Sequence, residues 1–163
     1  MKPNNSDNKL FTDKPNFKFT TKLKKHLIKE EIILLILSVT AYFLKIEILL
    51  TASLFLLSVI YFFMYFVEYK TNNKKYKIII IIFLLSSNWG KAVGVTGILY
   101  AIINRQGAEF MLKTGFLSLI ISVLILAVYL IKRLKDEIFT YTELIRNLII
   151  SGVCLFFLIY YIV

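Results

Sequence analysis

The chain has 163 residues, of which 58% are hydrophobic and only 18% charged, with a formal net charge of +10 and a mean hydropathy of +0.74. Soluble domains lie nearer about 45–50% apolar and about 25% charged, and a chain this short has too little interior to hide the surplus from water. A soluble globular domain, a disordered tail and a nucleic-acid binder of the usual kind are excluded, the last despite the net charge because most basic residues sit between apolar runs. One Cys and one His exclude a disulfide framework and most metal sites.

Residues 1–26 read as a basic, partly disordered cytoplasmic N-terminus. Residues 1–16 are rich in Asn, Lys, Asp and Pro. The polar leader is too long for a signal peptide, and no small-residue cleavage site follows the first apolar run. In residues 17–29, Phe19, Leu23 and Leu27 recur every four residues while Lys18, Lys22, Lys25 and Lys29 take other faces. This fits a short basic helix lying on anionic lipid, or a plain solvated flank. His26 belongs to that flank as an ordinary interfacial residue.

Residues 27–163 read as one transmembrane domain. A bilayer core of about 30 Å needs roughly 20 apolar residues in a helix, and five stretches qualify: about 27–46, 48–67, 78–103, 110–131 and 144–163. The predicted fold is an all-α polytopic membrane bundle. The first two spans are separated only by Lys45-Ile46-Glu47; one helix through both would be about 60 Å long, so a hairpin is expected. Lys and Arg divide 16 against 3 between the two sides, with Lys91 left inside a span. The N-terminus is therefore expected in the cytoplasm and the C-terminus outside.

The third span holds Ser86-Ser87-Asn88-Trp89-Gly90-Lys91. A central Lys costs about 2.5–3.5 kcal/mol on insertion scales, so its charge should face protein or a wet cavity. Asn88, one turn earlier, shares its face. Asn88 and Lys91 are the candidate intramembrane polar site, with Ser87 as a further neighbour. Alternatively, a helix starting near Phe83 would let Lys91 snorkel to the surface. If the span is continuous, Lys91→Leu removes that insertion cost and keeps the protein inserted. Gly90, Gly94, Gly97 and Ala101 fall on one stripe, a face for close helix packing within the bundle or with another subunit.

None of the ten acidic residues is expected in the middle of a span. Glu47 and Glu109 fall at outer ends and Glu68 at an inner end. No catalytic, cofactor or metal constellation is present, so neither an enzyme nor a cofactor is expected. Cys154 reads as a small hydrophobe, and Thr40, Ser58, Ser118 and Ser122 as hydroxyls bonded back to their own helices.

Two hairpins look related. Ala41 to Ile46 precedes Glu47 to Ser53; Leu99 to Ile103 precedes an insert, Asn104 to Ala108, and then Glu109 to Gly115. Glu47 aligns with Glu109, Leu50 with Leu112 and Ser53 with Gly115. The segment Tyr100 to Gly115 resembles small Bacteroidetes membrane proteins related to the gliding-motility protein GldL. Gly107, Ala108, Met111, Leu112 and Gly115 match their tip pattern, whereas Asn104-Arg105-Gln106 replaces the usual His-Trp-Pro. The resemblance covers 99–130, with a repeat at 41–61. It implies a helical-hairpin module in a bacterial inner membrane. The family's proton use depends on an intramembrane carboxylate and is not carried over.

Two functions fit. One is a non-enzymatic structural or interaction subunit, whose partners are the lipid bilayer, other membrane subunits or itself, and not nucleic acid. The other is a small transporter or solute-binding membrane protein with its polar site around Lys91. Polar residues on only one span favour the first.

Overall fold

The computed structural model describes residues 14–71, 78–131 and 141–162. Expectations for residues 1–13, for the lysine-rich loop at 72–77 and for 132–140 lie outside them.

The described residues form five helices and no strand: α1 (Lys14–Phe43), α2 (Glu47–Thr71), α3 (Ile78–Ile102), α4 (Ala108–Ile131) and α5 (Tyr141–Ile162). Four of them, α2 to α5, are long and apolar enough to cross a membrane. The first expected span departs from that. Lys29, Glu30 and Glu31 interrupt α1, and its uninterrupted stretch from Ile32 to Phe43 is only about 18 Å long, against a core of about 30 Å. The basic segment before it is no separate helix, because α1 runs unbroken from Lys14.

Both hairpin tips close in the same way. In the first, Lys45 N–H bonds to the Tyr42 carbonyl (3.2 Å) and Ile46 N–H to Ala41 (3.0 Å). In the second, Asn104 N–H bonds to Ala101 (3.2 Å) and Arg105 N–H to Tyr100 (2.8 Å). This is the Schellman arrangement, with Lys45 (φ 55°) and Asn104 (φ 51°) in the left-handed position usually given to glycine. The second tip needs Gln106 and Gly107 before α4 can start. At Gly107 φ is 89°, which favours glycine over any L side chain. Beyond the tips, Leu50, Ser53, Leu57 and Met64 face inward on α2 at the same spacing as Leu112, Gly115, Leu119 and Leu126 on α4.

The third helix is the centre of the bundle. It packs on α2, α4 and α5, and just over half of its span is buried, against about a third or less for the others. Toward the tips an apolar core gathers Leu57, Val95, Ile98, Leu112, Leu119 and Cys154. Toward the opposite end a smaller one gathers Ile80, Phe83, Leu84, Leu126 and Tyr129. The functional candidates lie between these two cores.

Candidate functional site

Midway along α3 a five-residue π-helical turn, Leu85–Trp89, interrupts the helix. Such wide turns recur at functional positions. Here it carries Ser87 and Asn88 into the bundle and leaves Trp89 outside, 6.1 Å from the Phe62 ring. One turn on, Lys91 is wholly buried. Its ammonium therefore does not snorkel, and a helix beginning at Ile78 places it well inside the span.

Lys91 Nζ donates to Glu143 Oε2 at 2.9 Å and lies 5.7 Å from the centre of the Tyr61 ring. Glu143 also accepts from Arg146 Nη1. Arg146 reaches across to α1, donating to Glu31 through Nη2 and through Nε, the latter at 3.1 Å. The Tyr61 hydroxyl donates at 2.8 Å to Glu31 Oε1, the oxygen that Arg146 Nε meets. One continuous run thus joins Tyr61, Glu31, Arg146, Glu143 and Lys91.

Asn88 and Ser87, expected beside Lys91, go elsewhere. Asn88 Nδ2 donates to Glu68 Oε2 (2.8 Å), whose other oxygen meets Lys24 Nζ (2.8 Å). Ser87 Oγ donates to Asn147 Oδ1 (3.1 Å), and Asn147 Nδ2 donates to Ser122 Oγ (3.0 Å). Ser122 closes the branch on the Leu119 carbonyl of its own helix, 2.7 Å away. Ser58 behaves differently from the sequence reading: it bonds across to α3, to the Ala92 carbonyl (3.2 Å) and Thr96 Oγ1 (2.8 Å).

Among the described residues the cluster therefore holds three carboxylates, Glu31, Glu68 and Glu143, against three cations, Lys24, Lys91 and Arg146. Among the described residues no buried side-chain nitrogen or oxygen lacks a hydrogen-bond partner. All five helices contribute, so the expectation of polar residues on the third span alone is corrected. Two acids are nevertheless buried inside the bundle, Glu31 at 2% exposed and Glu68, at the end of its own span, at 4%. In the sequence Glu31 falls near the start of the first expected span and Glu143 just before the fifth, each near the charged end of its own apolar run. At 1.5 Å per residue, Glu31, Tyr61, Lys91, Ser122 and Asn147 all lie about 17–22 Å from the hairpin-tip end of the bundle. These five form one layer, and by the same measure their partners Arg146, Glu143 and Glu68 lie about 24, 28 and 31 Å from that end.

A pattern in the sequence does encode part of this. Lys24, Glu31 and Ser38 recur every seven residues on α1, opposite Glu68, Tyr61 and Ser53 on the antiparallel α2. The third pair is joined by Ser38 Oγ donating to Ser53 Oγ at 2.9 Å. No comparable signal links Arg146 to Glu31, which are 115 residues apart.

The glycines face other helices of the same bundle. A Cβ on Gly97 would lie 2.8 Å from the Leu112 nitrogen, one on Gly94 2.7 Å from Cys154 Sγ, and one on Gly90 3.0 Å from Ser118 Cβ. Ala101 is half-buried on the same side. Among the described residues no group of His, Cys, Asp and Glu is arranged to hold a metal ion. No family model, curated protein or solved structure matches the chain.

Proposed function

We propose that this multi-pass membrane protein is a non-catalytic structural or interaction subunit, whose buried ion-pair layer fastens α1 and α5 to the α2–α3–α4 body. The observation that carries this reading is the balance of the layer. Among the described residues each of its three carboxylates meets a cation, and no buried side-chain nitrogen or oxygen lacks a hydrogen-bond partner. A site built to receive a charged solute would hold an unmatched charge for it. The charges here are engaged with one another, as expected of groups that set helix register in an apolar medium.

The GldL-related likeness belongs to the same proposal. The residues that carry it are the ones the second hairpin needs: Gly107 for its positive φ, Ala108 and Leu112 for the buried face, Gly115 for contact with α3. A bacterial inner membrane, a cytoplasmic N-terminus and an external C-terminus complete the reading, supported by the 16-to-3 division of basic residues. A periplasm-active reporter fused after Val163 is then active, and one inserted after Asn73 is not; the reverse pattern removes this orientation.

One observation favours the transporter reading, namely that all five helices supply polar groups at one depth. The two separate in reconstituted vesicles. The subunit reading expects Lys91→Leu to destabilise, by less than the about 3–5 kcal/mol of a fully broken buried pair, because Glu143 loses Lys91 but keeps Arg146. Lys91→Leu combined with Glu143→Leu should recover most of that loss. Proton leakage should match that of empty liposomes, since an apolar core separates the layer from the hairpin tips. A flux present in the wild type and abolished in the stable double variant would establish the transporter instead.

A further inference from the structure

Two ion pairs fix the rotation of α1 about its axis. Lys24 is tied to Glu68 and, seven residues on, Glu31 is tied to Arg146, so both point into the bundle. Lys22, Lys25 and Lys29 stand at intervals of three and four, hence on a single stripe. At 3.6 residues per turn that stripe lies roughly opposite Lys24 and Glu31. All three lysines are exposed. On the same side His26, with 71% of its side chain exposed, lies 3.5 Å from Glu30.

The height of the stripe follows from the helix. Lys29, Lys25 and Lys22 rise about 3, 9 and 13 Å beyond Glu31, which itself lies about 18 Å from the Phe43 end. Measured from that end, they fall at about 21, 27 and 32 Å. The upper two bracket the boundary of a 30 Å hydrocarbon core, and Lys29, below it, extends its stem toward it.

We propose that Lys22, Lys25 and Lys29 form an upright ladder that binds the headgroups of anionic phospholipids in the leaflet where α1 begins. The segment does not lie flat on that surface, because it continues α1. A solvated flank would spend conformational freedom to meet a lipid phosphate. Here the backbone and its rotation are set in advance by Lys24 and Glu31, so only the lysine tips need ordering. The ligand is the phosphodiester of an anionic lipid, met by ammonium groups at headgroup depth.

The test uses the full chain, delipidated in mild detergent and returned to discs of phosphatidylcholine doped with phosphatidylglycerol. Native mass spectrometry then counts the lipids retained. Wild type should be enriched in phosphatidylglycerol, and raising the salt should remove the enrichment. The combined variant Lys22→Gln, Lys25→Gln, Lys29→Gln should lose about fivefold per lysine. Lys45→Gln with Lys113→Gln, at the other end of the bundle, should retain wild-type enrichment. Equal retention of the two lipids by wild type, an unchanged triple variant, or an equal loss in the Lys45 and Lys113 variant would each overturn the proposal. Should the triple variant not fold, the wild-type salt series decides: enrichment indifferent to salt overturns the ladder.

Discussion

Near the hairpin tips, α3 and α4 meet backbone to backbone: a Cβ on Gly115 would sit 2.5 Å from the Gly94 Cα. One turn along α3 and two along α4, the same helices enter, through Lys91 and Ser122, a cluster where Lys91, Glu143, Arg146 and Glu31 are joined by charge-assisted bonds. The first region gains from dispersion, which needs close approach and hence the absence of side chains. The second gains from long side chains that bridge helices too far apart to touch, α1 and α5 above all. Close packing tolerates no added atom. An ion layer tolerates replacement as long as charge stays balanced.

The largest effect expected from this contrast is at Arg146. Arg146→Leu leaves Glu31 buried with only the Tyr61 hydroxyl, and should cost about 3–5 kcal/mol in a denaturant titration of the detergent-solubilised protein. Arg146→Lys should restore only part of it, because an ammonium cannot span both Glu31 oxygens as the guanidinium does. If Arg146→Leu is neutral, the ion layer holds nothing together.

Next comes Gly115→Ala. Its added methyl meets Gly94 backbone, which cannot swing aside as a side chain could, so the loss should sit at the upper end of about 1–3 kcal/mol. Cys154→Ala should recover little of it, since Cys154 touches the other side of Gly94. A smaller coupling, about 0.6 kcal/mol, is expected between Ser38 and Ser53 in a double-mutant cycle, the average for hydrogen bonds between membrane helices. Smallest of all is Gly152→Ala. No atom lies within 4 Å of where its Cβ would stand, so the variant should be unchanged or up to about 1 kcal/mol more stable. A large loss there would mean that α5 packs against something beyond this bundle.

The sequence by itself determined the helical class, the four spans from α2 to α5, the two hairpins, and the fact that Lys91 and Asn88 are polar groups on an apolar helix. These follow from local quantities: hydropathy over about 20 residues, helical periodicity and turn chemistry. It also placed the small residues of α3 on one face. Only the tertiary structure decided what met those groups. Glu31 and Glu143 sit near the charged ends of their own apolar runs. They meet partners inside the bundle because α1 packs on α2 and α5 on α3 and α4, which brings Arg146 to Glu31 and Lys91 to Glu143. Depth along a neighbouring helix is a property of packing, and no window along a single chain contains it. The choice of Glu143 and Glu68, rather than Ser87, as partners for Lys91 and Asn88 has the same cause: the partner is whichever carboxylate another helix delivers to that level.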